Sequence, residues 1–289
     1  MKLNYKNLIT YNNSVYQINE KFNNLERENF VSKTKASTGA KIIFSSMLCG
    51  HRSINELIKT NSNEDTNLKG IFNKKEYIPK MHGLRDCVKD TDYLQIKNIN
   101  DSIINKAKDN KIFRKNKVDG LALVAWDGVE LTETTKDIEG LPEREYEDGL
   151  RKYIKYTVAM NVSERANIII DAKQLKEKEI TSEIYLATNM LNHDTETVLK
   201  IMYLRWNIEN NGFRTLKQRF NLEHIFIGDI NSINYIVQMV FMIFNLLELY
   251  MKIRLKTEIK ETWNLIVKCF MIQIHSDDNL YLLFEPCHS

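Results

Sequence analysis

Glycine and proline are scarce in this chain, which has ten glycines and three prolines among 289 residues. Because these residues most often interrupt regular secondary structure, the sequence predicts long uninterrupted helices and strands. Cysteine is also rare, and the four cysteines are far apart and form no C-x-x-C pair. This spacing favours neither a disulfide framework nor a cysteine zinc site, and it is typical of a protein in a reducing compartment.

The chain carries little net charge. Its formal charge is +3 at pH 7, and 43% hydrophobic with 27% charged residues is the composition of an ordinary soluble globular protein. The net charge therefore does not indicate a polyanionic partner such as DNA, and only local clusters of positive charge can do so. The first residues lack the apolar segment of a secretory signal peptide, so we expect a cytoplasmic protein.

One apolar run, residues 233–250, has the length of a membrane span. It contains Asn234, Gln238, Asn245 and Glu248, which helical spacing places along one stripe. Such a stripe would be costly in a membrane. We therefore expect no membrane contact, and we predict a helix that is buried on most sides, with its polar stripe facing solvent or a site.

The chain divides into three predicted regions. Residues 1–117 form a helical N-terminal region and a candidate DNA contact, residues 118–230 a core, and residues 231–289 C-terminal helices that pack on it. Strands are predicted at residues 121–126, 151–162, 167–170 and 183–188. A long amphipathic helix follows at residues 195–220, with Asp194 or Thr195 positioned to cap it. This pattern predicts an α/β fold flanked by helices at both ends.

Two acids in the core are candidates for chemistry. Asp127 follows an apolar run and precedes Gly128, which is typical either of a hairpin turn or of a carboxylate at the end of a strand that binds Mg²⁺ or Mn²⁺. Glu209 lies four residues after Arg205 on the long helix. That spacing predicts either a helical ion pair or a metal ligand, with Arg205 or Lys217 contacting a phosphate.

Local clusters of positive charge indicate a nucleic-acid partner. Residues 106–117 contain six cations and one acid, and further cations lie near Glu209. Such groups can neutralise backbone phosphates, although a solvated helix face is the alternative. Trp206 is interpreted as a core residue, with stacking on a displaced base as the alternative. The predicted DNA contacts are Lys111, Arg114, Lys115, Lys117, Arg214 and Arg219.

Two separate motifs resemble bacterial insertion-sequence transposases of the DDE superfamily. They are WDGVEL at residues 126–131 and LRWNIENNGF at residues 204–213, and the similarity continues into LEHIF at residues 222–226. The resemblance implies a mixed sheet of the RNase H-like fold with a long glutamate-bearing helix. It also implies double-stranded DNA and transposon ends as partners, a nucleoid-associated location, a possible homodimer, and Mg²⁺ or Mn²⁺ as cofactor.

The resemblance assigns Asp127 as the first catalytic and metal-binding acid and Glu209 as the third, for DNA cleavage and strand transfer through two metal ions. The interval between them is short, which indicates an internal deletion near residues 173–181. Asp171 is the candidate substitute for the missing second acid, although the resemblance places it on the family's third strand. Arg205 and Lys217 are the candidate catalytic cations. We therefore expect a transposase with impaired catalysis, or a non-catalytic DNA-binding remnant of one.

Overall fold

The computed structural model describes residues 2–3, 5–28, 34–51, 79–115, 122–163, 166–174, 195–220 and 228–255, and in addition residues 56, 117, 266–267, 270 and 282–283. A short strand, β1 (Lys2–Leu3), precedes the first helices. These are α1 (Tyr5–Tyr16), α2 (Ile18–Asn23), α3 (Ala36–Leu48), α4 (Met81–Asp90), α5 (Tyr93–Asp109) and α6 (Ile112–Lys115). Apart from β1, the secondary structure described in the N-terminal region is helical.

The central sheet contains β2 (Val124–Thr134), β3 (Glu143–Tyr146), β4 (Gly149–Asn161) and β5 (Ile168–Gln174). β4 is the middle strand and pairs antiparallel with the other three. β2 lies along one edge of it, while β3 and β5 share the other edge at opposite ends. A second, two-stranded pairing joins β1 to β6 (Leu282–Leu283). The chain is thus mixed α/β, with an antiparallel sheet and flanking helices.

β2 corrects both interpretations of the Asp127–Gly128 dipeptide. The strand continues through it without a turn, and Gly128 pairs with Thr157 of β4. Alternate residues Ala125, Val129 and Leu131 are buried on one face, so a single period-two pattern spans the dipeptide. Pairing along β4 outweighs the local turn preference. Asp127 consequently lies inside the strand and not at its end.

The other predicted strands have different outcomes. The strand expected at residues 151–162 is confirmed as β4, and the one at 167–170 begins β5, which runs on to Gln174. The strand predicted at 183–188 lies outside the described residues, as does Asp194. The long helix is confirmed as α7 (Thr195–Asn207), a π-helical turn that we call π1 (Ile208–Phe213), and α8 (Arg214–Phe220).

The apolar run forms the central helix of the core, α9 (Ile230–Glu248), which continues into a second π-helical turn (Leu249–Arg254). This helix is long and apolar enough to cross a membrane, but 89% of its apolar window is buried inside the protein. The core therefore forms where α9 packs on α5 and on β5. The sequence also predicts a helix at about residues 258–272, most of which lies outside the described residues.

The polar stripe of α9 is buried, which corrects the expectation that it faces solvent or a site. The Asn245 amide accepts a hydrogen bond from the Ile169 N–H and donates to the Ile169 carbonyl, both at 2.8 Å. It also donates to Asn100 of α5 at 3.0 Å. Glu248 accepts from the Asn167 N–H at 3.0 Å. The stripe thus supplies the free edge of β5 with hydrogen-bond partners.

Candidate metal and DNA-contact site

Asp127 is the fourth residue of β2 and lies opposite Val158 of β4. Directly opposite residues share a face of the sheet, so Asp127 lies on the same face as the buried Val158. Its carboxylate is partly exposed, and one oxygen accepts a hydrogen bond from the Gly128 N–H at 2.7 Å. The second oxygen has no hydrogen-bond partner in the part of the chain that the structure describes.

Glu209 lies at the start of π1, where the helix is wider by one residue per turn. Ile208 and Phe213 of this turn are buried, while the Glu209 side chain is 51% exposed. Arg205 and Glu209 form the predicted ion pair, with 3.6 Å between Nη1 and Oε1. π1 packs against β2, so the fold brings the two predicted motifs into contact.

A cavity of about 380 Å³ lies between β2 and the π1–α8 segment. Its helical wall includes Glu209, Arg214 and Lys217, three of the residues predicted from the sequence. The lining on the β2 side includes Gly128 and its two successors in the chain but not Asp127. Two carboxylates and two cations therefore face one open cavity, an arrangement that suits a ligand carrying a phosphate group.

Sequence reasoning missed Glu130, which contributes the second carboxylate of the cavity. Arg144 of β3 holds it through two hydrogen bonds of 3.0 and 3.2 Å. Arg144 also stacks over the Tyr153 ring, with 4.7 Å from Cζ to the ring centroid. Glu130 stands within the WDGVEL motif, so the signal was present. Glu130 lines the cavity because β2 continues past Gly128, which the local sequence does not predict.

Asp171 lies away from the other two acids. It is opposite Ala159 of β4, and Ala159 is in turn opposite Trp126, so Asp171 and Asp127 are on different faces of the sheet. One Asp171 oxygen accepts from the Ala172 N–H at 2.8 Å, and it lies 3.7 Å from Lys97 of α5. The register therefore separates Asp171 from any site that contains Asp127.

The acids present do not fit a two-metal centre. Two metal ions about 4 Å apart need several shared oxygen ligands, and only Asp127 and Glu209 of the predicted set lie on elements that meet. In the described part of the chain, no group of three or more His, Cys, Asp or Glu side chains is placed to hold a metal. A two-carboxylate donor set suits at most one hard cation that keeps most of its water.

The predicted DNA contacts are largely on the surface. Lys111, Arg114 and Lys117 are exposed, and Lys111 adopts a left-handed backbone conformation with φ of 59°. Arg214 is exposed beside the cavity. The side chains of Lys115 and Arg219 lie outside the described part of the structure.

Trp206 does not pack in the core, which corrects that interpretation. Its side chain is 52% exposed, and it meets Tyr203 edge to face with 6.3 Å between ring centroids. Both aromatic residues project from α7, Trp206 three residues and Tyr203 six residues before Glu209. Stacking on a base therefore stays a prediction for this pair.

The chain matches no known family model, no curated protein and no solved structure. The resemblance to transposases therefore rests on the two sequence motifs alone.

Proposed function

We propose that this protein is a DDE-type transposase that binds double-stranded DNA and whose metal-dependent cleavage is impaired. The observation that carries the proposal is the cavity between β2 and π1–α8, which joins Glu209, Arg214 and Lys217 to the strand of Asp127. Two sequence-distant motifs of one family thus meet at one place. The adjacency of β2, β4 and β5 in one antiparallel sheet supports the proposal, because the resemblance implies that Asp171 belongs to the family's third strand.

The residues of the cavity have distinct roles in this proposal. Arg214 and Lys217 bind the phosphodiester and neutralise its charge. Glu209 and Glu130, the two carboxylates that line the cavity, would hold a single Mg²⁺ or Mn²⁺, which when bound would supply Lewis-acid polarisation of a phosphoryl oxygen. Arg205, paired with Glu209, limits the motion of that carboxylate. Cleavage is impaired because Asp171 lies on the other face of the sheet and completes no second metal site.

DNA binding is tested by the salt dependence of affinity for a short labelled duplex of random sequence. Each phosphate contact contributes about 0.9 to the slope of log affinity against log salt. Replacing Lys106, Lys111 and Arg114 with glutamine should therefore lower the magnitude of the slope by roughly 3. A matched control that removes the same charge elsewhere should leave the slope unaltered.

The control replaces Lys6, Lys35 and Lys136 with glutamine. These three lysines are exposed and are far in sequence from the cluster of cations at residues 106–117. If both triple variants change the slope equally, the cluster does not form the DNA interface and overall charge explains the binding. If neither variant binds less well than the original protein, the DNA-binding proposal fails.

A non-catalytic remnant is the second candidate, and the position of Asp171 favours it. Nicking of supercoiled plasmid with millimolar Mn²⁺ separates the two. Slow nicking that disappears in Glu209→Gln supports an impaired enzyme. Binding without any nicking supports the remnant.

A further inference from the structure

A lysine of the central strand lies across a glycine of the cavity wall. Lys155 of β4 is directly opposite Glu130 of β2, which makes it the diagonal neighbour of Gly128 on the same face of the sheet. A Cβ added to Gly128 would lie 3.2 Å from Cε of Lys155 and 3.9 Å from its Nζ. Lys155 does not line the cavity itself, but its flexible end reaches the wall at Gly128. Its ammonium group is therefore at the sheet side of the cavity.

The missing side chain of Gly128 makes room for the end of Lys155. The backbone at this position does not require glycine, because Gly128 pairs regularly with Thr157 and its φ is not positive. Glycine inside a strand weakens the strand and often marks the close approach of another group. Here that group is the end of the lysine side chain, which any larger residue at position 128 would displace.

The acid closest to Lys155 in the register is bound to another cation. Glu130 is directly opposite Lys155, but Arg144 donates to both of its oxygens, at 3.0 and 3.2 Å. Lys155 is partly exposed and forms no ion pair or hydrogen bond with the part of the chain that the structure describes. Its charge is therefore available to an anion that enters the cavity.

A bulge in β2 places a second acid on the same face, and Arg144 binds this acid as well. The register shifts between Glu130 and Thr132, so Glu133 is opposite Tyr153 and shares the face of Glu130. Arg144 pairs with Glu133 at 3.2 Å from Nη1 to Oε1. Both acids of β2 on this face are thus bound to one arginine rather than to the lysine beside them.

Lys155 changes the charge balance of the cavity. The wall contains two carboxylates, Glu130 and Glu209, and two cations, Arg214 and Lys217, whose formal charges cancel. Lys155 adds a positive charge from the sheet, on the side opposite the two helical cations. The unbridged oxygens of a phosphodiester can accept hydrogen bonds from both sides, and charge-assisted hydrogen bonds of this kind are the strong ones.

We propose that Lys155 binds a phosphate group from the sheet side of the cavity and that Gly128 gives it the room to do so. The inference rests on the proposed function, which has Arg214 and Lys217 bind a phosphodiester of DNA from the helical wall. The sugar-phosphate backbone accordingly passes between β2 and the π1–α8 segment, with cations on both sides of it.

The salt dependence of duplex binding tests the contact. Lys155→Met keeps the apolar part of the side chain and should lower the magnitude of the slope of log affinity against log salt by about 0.9, the value of one phosphate contact. Lys155→Arg should keep the original slope. Lys136→Met, the matched control, removes the same charge from an exposed position after β2 and should also keep it.

Gly128→Ala tests the role of the glycine without removing a charge. The added Cβ meets only the flexible end of Lys155, which can move aside, so the urea midpoint should stay the same. The slope should nevertheless fall by about 0.9, as in Lys155→Met. A purely structural role of Gly128 would change the midpoint and leave the slope as it is.

A titration with inorganic phosphate examines the same contact without DNA. The chain has ten glycines, so protein labelled with ¹⁵N-glycine gives a simple amide spectrum, and the signal lost in Gly128→Ala identifies Gly128. Phosphate should shift this signal in the original protein. In Lys155→Met the Kd for phosphate, measured from the shift, should rise at least about fivefold, since a charge-assisted hydrogen bond is lost at a partly exposed site.

The two measurements distinguish failure of this proposal from failure of the proposed function. If the duplex binds, the slope decides, and an unaltered slope in Lys155→Met overturns the lysine contact while the proposed function stands. If the duplex does not bind, the proposed function fails and the phosphate titration decides. A Kd that depends on Lys155 then supports a phosphate site for a ligand other than DNA. An equal Kd in Lys155→Met, or no shift of Gly128, overturns the proposal.

Discussion

Replacing Glu248 with glutamine should make the free energy of unfolding less dependent on pH. Glu248 is 5% exposed in the centre of the core, and its carboxyl accepts a hydrogen bond from the Asn167 N–H. Burial raises the pKa of Glu248 from 4.5 to about 7, although that hydrogen bond and the charge of Lys252 both act in the opposite direction. Loss of hydration of the ionised carboxylate is the dominant cause.

The sign of the pH dependence follows from proton binding. Between pH 4.5 and about pH 7 the folded protein keeps a proton on Glu248 that the unfolded chain releases. The folded state then binds more protons, so its stability falls as pH rises through this window. Below the window both states are protonated, and above it both are ionised, so the loss is complete above about pH 7.

The size of the effect is set by the difference between the pKa of Glu248 in the folded protein and its pKa in the unfolded chain. At about 1.4 kcal/mol for each pKa unit, the interval from 4.5 to about 7 corresponds to ~3 kcal/mol. Glutamine has nearly the same shape, keeps an acceptor for Asn167 and cannot titrate. Its buried amide nitrogen adds a cost of about 1–3 kcal/mol if it finds no acceptor. That cost is the same at every pH, so the slope is the diagnostic quantity.

Urea denaturation followed by far-UV circular dichroism, from pH 4.5 to about pH 8, measures this slope. The variant should gain ~3 kcal/mol relative to the original protein across the window. Glu145→Gln, at an exposed position, is the matched control and should show no relative change. Parallel curves for Glu248→Gln and the original protein would refute the reasoning, because they would mean that Glu248 titrates alike in the folded and unfolded states.

Three further predictions concern the site and the core. Glu209→Gln should weaken Mn²⁺ binding in calorimetric titrations, whereas Asp171→Asn should leave it unchanged, and an equal loss in both would contradict the placement of Asp171 outside the site. Asn245→Leu should lower the free energy of unfolding by about 2–4 kcal/mol, since two backbone groups of Ile169 lose their partner; a change near zero in urea would count against this. Gly39→Ala should lower Tm and reduce the free energy of unfolding by about 1–3 kcal/mol, because the added Cβ would lie 2.8 Å from the Cys87 side chain of α4. An unchanged Tm would mean that α3 and α4 move apart at little energetic cost.

The candidate site could be predicted in part. The spacing of Arg205 and Glu209 predicted their ion pair because a helix brings residues four apart onto one face. The polarity of the segment could not reveal that Glu130 shares the cavity, because that depends on where β2 meets π1. Asp171 illustrates the same limit, because the sequence does not say which face of the sheet an acid after an isoleucine run occupies. That face is decided by the register in which the strand pairs with its neighbour.

By itself the sequence determined the mixed α/β composition, the long helix and the helix at residues 230–248, because periodicity and the scarcity of glycine and proline act locally. Only the tertiary structure decided that β2 runs through Asp127–Gly128 and that the polar stripe of α9 is buried. Both outcomes depend on partners distant in the chain: β4 for the strand, and the edge of β5 for the stripe. Backbone groups must find such partners when they leave water, and local sequence does not encode which ones they find.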